Sequence, residues 1–422
     1  MKNKFLNRKN VVVIGGGFAG LNLVENMCKN SDYSITLIDR NNYNYFSPLL
    51  YQVATSFLEP SSISYPFRKM FQYKNINFRM GEVLSVDKEN KIIELNNGQL
   101  QYDILVFAAG AKTNFYGIKS VQKNAIPMKT VDDALKMRNA LLKNLEQASI
   151  TADMQEREEL MTIVVAGGGP TGVEVAGMLA EMKKYLLAKE YPELIGSRGG
   201  IYIVDSMPVL LANLSKKTHR ETYEALEKLG VKIRLNTQVK SYENDQVQFA
   251  DGESIKTKSL IWTAGVTANI FAGIPQSDLG KGNRMIVDQH NKLLSSDSIY
   301  AIGDSCIQSS DPNYPNGHPQ LAQTAIQQGK LLAKNLSSIA KGRAQKPFIY
   351  FDKGDMAIVG RHNAVVDLFK HKVHLSGFLA LMAWLFIHLF GLLNYNNKLK
   401  TFYNWIVAYI TKDQSLRMIF RS

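Results

Sequence analysis

The chain has 422 residues, 45% of them hydrophobic and 21% charged, which is enough apolar material for two or three domains with cores and excludes a disordered chain. Fifty lysines and arginines against 37 acids leave a formal net charge of +13, a surplus that suits an anionic membrane surface; no zinc finger, RRM-like aromatic motif or basic helix repeat argues for nucleic acid. The two cysteines, Cys28 and Cys306, have no CxxC partner, which excludes a dithiol redox motif and a thiolate metal site.

In chain order, Val11 to Ile14 is a continuous β-branched run, the pattern of a buried parallel strand. A helix is expected from Ala19 to about Lys29, then a strand, SITLIDR, that reaches Asp39. The stretch Asn41 to Tyr73, with Pro48, Pro60 and Pro66, reads as loops and short helices. INFRMGEVLSVD and KIIELNN read as strands with a turn around Lys88 to Asn90, and YDILVFAAGAKTN as a buried strand breaking into a tight turn. A helix over Val131 to Glu146 leads to a second β-α-β unit beginning at Met161, whose next strand, IYIVDSMPVLL, reaches Asp205. KTHRETYEALEKLG reads as an amphipathic helix closed by Gly230. SLIWTAGVTAN repeats the strand-to-turn pattern, SIYAIGDS returns the chain to the first domain, and PQLAQTAIQQGKLLAKNL is a helix. A hairpin is expected around Lys353 and Gly354, followed by a basic and apolar tail.

The predicted architecture is α/β: two Rossmann-like dinucleotide-binding domains in a glutathione-reductase-like arrangement, with a C-terminal helical segment that associates with membrane. The expected boundaries are 1–125 and 285–350 for the first domain, 126–284 for the second, and 351–422 for the hairpin and anchor.

The chemistry is carried by two glycine fingerprints. In VVVIGGGFAG, Gly15, Gly17 and Gly20 follow a strand and, with Phe18 and Ala19, open a helix; Gly15 suits the sharp turn, Gly17 the approach of a pyrophosphate and Gly20 close strand–helix packing. Asp39, followed by Arg40, can accept from ribose hydroxyls. In VVAGGGPTGVEVAG, Gly167, Gly169, Pro170, Thr171 and Gly172 repeat the pattern, with Asp205 as the strand-end acid. Its wide spacing from the glycines is explained by the insert EYPELIGSRGG. An acid there favours a free 2′-hydroxyl and so NADH over NADPH; Arg220 and Lys216 lie near enough to complicate that preference. Ala109 with Gly110, and Ala264 with Gly265, form the two strand-end turns, and Gly303 with Asp304 forms a third element at the end of YAIGDS.

Through VVVIGGGFAG, LVFAAG, VVAGGGPTGVEVAGMLAE, YAIGDS, HPQLAQTAIQQG and the tail KVHLSGFLALMAWLFIHLFGLLNYNNKLK, the chain resembles the type II, non-proton-pumping NADH:quinone oxidoreductases along nearly its whole length. The resemblance implies noncovalent FAD in the first domain, NADH in the second and no metal. A hydride would pass to the flavin and two electrons to a membrane quinone, menaquinone or ubiquinone. It implies that Asp304 meets FAD hydroxyls and that Tyr45, Phe46 and Pro48 approach the flavin. Glu174 would hold nicotinamide or assist proton movement. Ala322, Gln323 and Thr324 would lie at the quinone side of the flavin, with Gln320 and Gln327 as weaker candidates. A homodimer and peripheral attachment to the cytoplasmic face of the inner membrane are also implied.

The apolar run Leu375 to Leu393 is flanked by Lys370, Lys372, Lys398 and Lys400, and Phe402, Trp405, Ile406 and Tyr409 form a following aromatic stripe. This pattern suits an in-plane anchor on anionic lipid better than a span. His371, His374 and His388 lack the acids or cysteines of a metal site. A sulfide:quinone oxidoreductase or a disulfide reductase would need paired reactive cysteines. A soluble ferredoxin- or rubredoxin-type reductase fits the fold but leaves the tail unexplained, and so does a non-enzymatic NAD-binding regulator.

Overall fold

The structure is a computed structural model that describes residues 8–411 and 416–419. The described residues form two compact units. The first draws on residues 8–44, 65–112 and 266–352, and the second on 45–64, 113–265, 353–411 and 416–419.

The first unit is built on a parallel sheet in the spatial order Ile299–Ala301, Ile104–Phe107, Lys9–Ile14, Tyr33–Asp39, Asn77–Met80. Val11 and Val13 face one core with Leu21, Leu23, Val24 and Met27 of the helix Phe18–Met27. Val12 and Ile14 face a second core with Leu105 and Phe107. Covered faces explain why the strand reads as an unbroken apolar run rather than an alternation. The helix Ala322–Ala340 packs on Phe18–Met27, and a Cβ on Gly329 would run into the Ala19 carbonyl. The expected turn is present at residues 88–91, joining the strands Val83–Asp87 and Ile92–Leu95.

The second unit repeats the plan in the order Ile126–Pro127, Ser259–Trp262, Ile163–Ala166, Ile201–Val204, Val231–Arg234. Its helix Val131–Ile150 starts with a capping box in which Thr130 and Asp133 satisfy each other's amides. The helix Lys216–Lys228 is capped by Ser215 and followed by Gly230 at φ +83°, as expected. The segment after Lys353 adds an antiparallel sheet, Asp355–Val359, Asn363–Leu368 and Val373–Ser376, and two helices, Gly377–Gly391 and Tyr395–Thr411.

Two expectations about this segment need correction. The hairpin turn lies at Gly360–His362, not at Lys353 and Gly354. Both glycines have positive φ, +100° at Gly354 and +71° at Gly360. Gly354, however, leads into a strand, and a Cβ there would collide with the Asp367 carbonyl; close backbone approach, not chain reversal, requires that glycine. The aromatic stripe is also divided. Phe402 and Ile406 are exposed, whereas Trp405 is buried and donates to Gln52 Oε1 at 2.8 Å, and the Tyr409 hydroxyl donates to the Arg361 carbonyl at 2.7 Å.

The tail is sewn into the second unit. Asn397 Nδ2 donates to the Ser64 carbonyl at 2.9 Å, and a Cβ on Gly177 of the helix Pro170–Glu190 would meet the Gly360 amide at 2.6 Å. Arg361, 3% exposed, donates its amide to Glu181 Oε1 at 2.9 Å and sets its guanidinium 3.3 Å from Oε2. Among the described residues no helix is long and apolar enough to cross a membrane; the apolar helix has 15 residues, because Leu375 and Ser376 belong to a strand and Leu392 and Leu393 lie beyond its end.

Candidate functional site

In the first unit, the loop between Ile14 and Phe18 is shaped from beneath. Gly15 has φ +101°, and a Cβ on it would meet the Ala108 backbone. Gly20 sits against the Gly15 carbonyl, so any side chain there would push strand and helix apart. Gly17 differs: a Cβ on it would meet nothing within 4 Å. The loop is therefore packed behind and open in front, where the first-turn amides of Phe18–Met27 lack intrahelical partners. An anionic pyrophosphate fits that opening.

Asp39 braces the same loop. Its Oδ2 accepts from the Gly16 amide at 2.7 Å and its Oδ1 from the Asn41 amide at 2.8 Å. Burial pushes its carboxyl up, while those amides and Arg40 pull it down. Asn44 Nδ2 donates to the Gly16 carbonyl at 2.6 Å, so the loop is held from both sides. Ala109 accepts at its carbonyl from Asn269 Nδ2 at 3.0 Å, and Gly110 at φ +65° makes the strand-end turn.

Gly303, at φ +68°, donates its amide to Gln328 Oε1 at 2.6 Å. The half-buried Asp304 follows, and its carbonyl accepts from Gln320 Nε2 at 3.3 Å. Gln323 and Ala322 are half-buried in the first turn of Ala322–Ala340 and Thr324 is buried. Gln327 is occupied by both backbone groups of Phe351, at 2.8 and 3.0 Å. Two buried hydroxyls in these same segments, Ser305 Oγ and Thr324 Oγ1, have no hydrogen-bond partner among the described residues. Buried orphans of this kind call for a polar ligand or water. The residues present thus fit a dinucleotide. Cys306, buried beside them, is pushed up to about 12 by burial and is an inert thiol.

The second unit carries the same construction. Gly167 has φ +115°, Gly172 abuts the Gly167 carbonyl, and the face of Gly169 is open. Asp205 accepts from the Gly168 amide through Oδ2 and from the Met207 amide through Oδ1 at 2.7 Å. Pro170 and Thr171 are exposed at the helix start. Ala264 accepts from the Tyr116 hydroxyl at 2.9 Å, which also lies over Gly265. Lys216 and Arg220 are exposed, the latter 3.8 Å from Glu224 on its own helix.

Glu174 is 8% exposed. Burial dominates and pushes its carboxyl up to about 8; the Ile358 amide and the Trp384 indole pull the other way. Tyr51, wholly buried, has its phenol raised by burial and by Glu174. Phe46, nearly buried, meets His388 edge-on at 6.1 Å. His388 lies flat on Trp384 at 3.7 Å and burial lowers it to about 4. The three tail histidines do not converge: His374 bridges Asp367 and Glu221 at 2.8 Å each, and His371 is exposed in a turn. Gln328 and Trp384 escaped sequence reasoning. Gln328 could have been suspected from its place in AIQQG; nothing local marks Trp384.

Comparison with known proteins agrees with this construction. The pyridine nucleotide-disulphide oxidoreductase family matches residues 9–329. The type II NADH:quinone oxidoreductase NdhA of Mycobacterium tuberculosis is 32% identical, over 96% of this chain and 87% of its own length. Ndh of the same organism, named likewise, is 32% identical over 96% and 89%. The structure of NDH2 from Plasmodium falciparum in complex with NADH superposes with a TM-score of 0.89, covering 98% of this chain and 100% of that one at 22% identity, a likeness of fold. Fold and cradles define a pyridine nucleotide-disulphide oxidoreductase. Within that class, the chain belongs to the type II NADH:quinone oxidoreductases.

Proposed function

We propose that the first unit holds noncovalent FAD and the second holds NADH, and that the enzyme transfers reducing equivalents from NADH to a membrane quinone, menaquinone or ubiquinone, without pumping protons. The activity itself, NADH:quinone oxidoreduction, follows from family membership. The balanced reaction is NADH + H⁺ + quinone → NAD⁺ + quinol. A bound flavin supplies two-electron storage between the two substrates.

The protein's part is to bind, orient and supply the proton. The open faces at Gly17 and Gly169, beneath helix amides, would take the two pyrophosphates. Asp39 and Asp205 each accept two backbone amides, one at each oxygen, and keep the remaining lone pairs for ribose hydroxyls. Asp304, with the orphan hydroxyls of Ser305 and Thr324, would meet the polar chain of FAD. Glu174 would hold the nicotinamide and a proton. Gln323, between small alanines, would meet a quinone carbonyl. The paired loops, each closed behind and open in front, carry this reading.

Attachment to an anionic lipid surface rests on the tail, where Phe378, Leu379, Phe386 and Phe390 are each more than half exposed on one short helix and Lys370, Lys372, Lys398 and Lys400 flank it. A quinone with a long apolar tail stays in the bilayer, so an enzyme that reduces it belongs at that surface. We further propose the cytoplasmic face of the inner membrane and a homodimer.

The test is stopped-flow absorbance of the purified, flavin-loaded protein near ~450 nm, where bound flavin absorbs. NADH should bleach the band under anaerobic conditions and quinone in detergent should restore it. Bleaching that only a soluble iron–sulfur protein reverses would replace the quinone with a soluble acceptor.

A further inference from the structure

Tyr116 is an exposed aromatic side chain that is nonetheless fixed in place. It is 62% exposed, and its backbone sits at φ +51°, a left-handed conformation that bulky side chains seldom adopt. Its amide donates to Asn114 Oδ1 at 2.9 Å and its hydroxyl to the Ala264 carbonyl at 2.9 Å. The residues before it are fastened to the same strand end. The Asn114 amide donates to the Gly265 carbonyl at 3.0 Å, the Trp262 indole donates to the Asn114 carbonyl at 2.8 Å, and Phe115 stacks on Trp262 at 6.1 Å. A ring left in water on so well anchored and so strained a segment is a surface for a ligand, not a packing element.

What it faces follows from the sheet. The fingerprint strand Ile163–Ala166 lies between Ile201–Val204 and Ser259–Trp262. In such sheets a dinucleotide crosses the carboxyl ends of the strands where their order reverses, with pyrophosphate over the glycine loop and adenosine ribose at the strand-end acid. Asp205 follows Ile201–Val204 and marks the adenosine side. The nicotinamide half then falls on the opposite side, over Ala264 and Gly265. The two turns are in contact there: a Cβ on Gly167 would lie 2.7 Å from the Thr263 carbonyl carbon and 2.8 Å from the Ala264 nitrogen. Gly265 lacks a side chain where the Tyr116 hydroxyl sits, and a Cβ on it would collide with that hydroxyl.

We propose that Tyr116 binds the nicotinamide ring of NADH, its phenol ring serving as a fixed plate against which the nicotinamide stacks. A nicotinamide needs one face open for its hydride to leave, and the other face can be covered by a ring. Because the plate is already fastened, little side-chain freedom is lost on binding. The proposal rests on NADH lying in the second unit, with its adenosine ribose at Asp205.

The test is isothermal titration of the full-length, flavin-loaded protein with NAD⁺ and with ADP-ribose, which lacks only the nicotinamide. Tyr116→Ala should weaken NAD⁺ about tenfold, the order of one lost stacking contact, and leave ADP-ribose within about twofold. Tyr116→Phe keeps the plate, with Asn114 and Phe115 still holding its segment, and should bind NAD⁺ within about threefold of the unaltered protein, the order of one hydrogen bond. If Tyr116→Ala loses its flavin, Tyr116→Leu, which keeps bulk without a flat ring, carries the test. Equal weakening of both ligands, or unchanged binding of NAD⁺, overturns the proposal. Asp205→Ala separates the two readings: it should weaken both ligands, and unaltered binding of both would take NADH off the second unit and the role of Tyr116 with it.

Discussion

Glu174 shows how a single buried side chain links stability to pH. Its carboxyl is raised from an ordinary 4.5 to about 8. Below pH 4.5 the acid is protonated whether the chain is folded or not, and its contribution to stability is whole. Between 4.5 and 8 the unfolded chain releases the proton while the fold retains it, so stability falls as pH rises, and the contribution is gone above 8. Glu174→Gln should flatten that decline, which urea midpoints of both proteins at pH 5 and pH 9 will reveal. The same substitution should slow bleaching by NADH by about 10²-fold or more, the order of a lost acid–base group, with flavin still bound; equal rates would remove Glu174 from the mechanism. At Gln323, a change to Leu should raise the quinone KM more than the NADH KM, and equal effects on both substrates would count against quinone contact. Which residues were legible depended on range. Glycines and strand-end acids are set by a few neighbouring residues and could be read directly. Gln328 and Trp384 meet groups 25 and 333 positions away, the Gly303 amide and the Tyr51 ring, and no local pattern encodes that.

Secondary elements were legible where a periodic pattern and a stop signal coincided. Strands at Lys9–Ile14, Ile104–Phe107 and Ser259–Trp262 are apolar runs leading into glycine turns; the first two are neighbours in one parallel sheet and the third lies inside the other. The hairpin near residue 354 was misplaced because two glycines six residues apart carry the same signature in sequence, and only tertiary contact tells a turn from a close approach. The helix Tyr395–Thr411 has apolar groups on several sides, so sequence could not say which would meet Gln52 and which would face outward. Two element-scale outcomes follow from the caps and the loop. Thr130→Ala removes half of a capping box and should cost about 1 kcal/mol, measurable as a lowered urea midpoint. Gly15→Ala forces a Cβ into the Ala108 backbone at φ +101°; the protein should emerge from desalting with little flavin absorbance.

At the scale of the molecule, the fold class was legible, because two repeated motifs and a return strand leave few topologies open. Less of the tail was legible, because its strands and helices are held by contacts with segments hundreds of residues earlier. The exposed face of Gly377–Gly391 leads to a direct outcome. Phe386→Asp combined with Phe390→Asp should abolish cosedimentation with anionic vesicles while leaving bleaching by NADH within about twofold, as expected for surface changes away from buried contacts. Cosedimentation that persists would move the lipid contact elsewhere.

The stitching of the tail bears on how this enzyme can be handled. Residues after Lys353 pack into the second unit: Trp405 reaches Gln52, Gly360 fills the gap above Gly177, and the Arg361 guanidinium pairs with Glu181. Removing that stretch would strip neighbours from a buried carboxylate and uncover apolar residues that other segments rely on. The tail is therefore not a detachable handle. A detergent-free form of the enzyme should come from repainting the outward face of one helix with polar residues, whereas a stop codon before that helix should yield aggregate rather than soluble dehydrogenase.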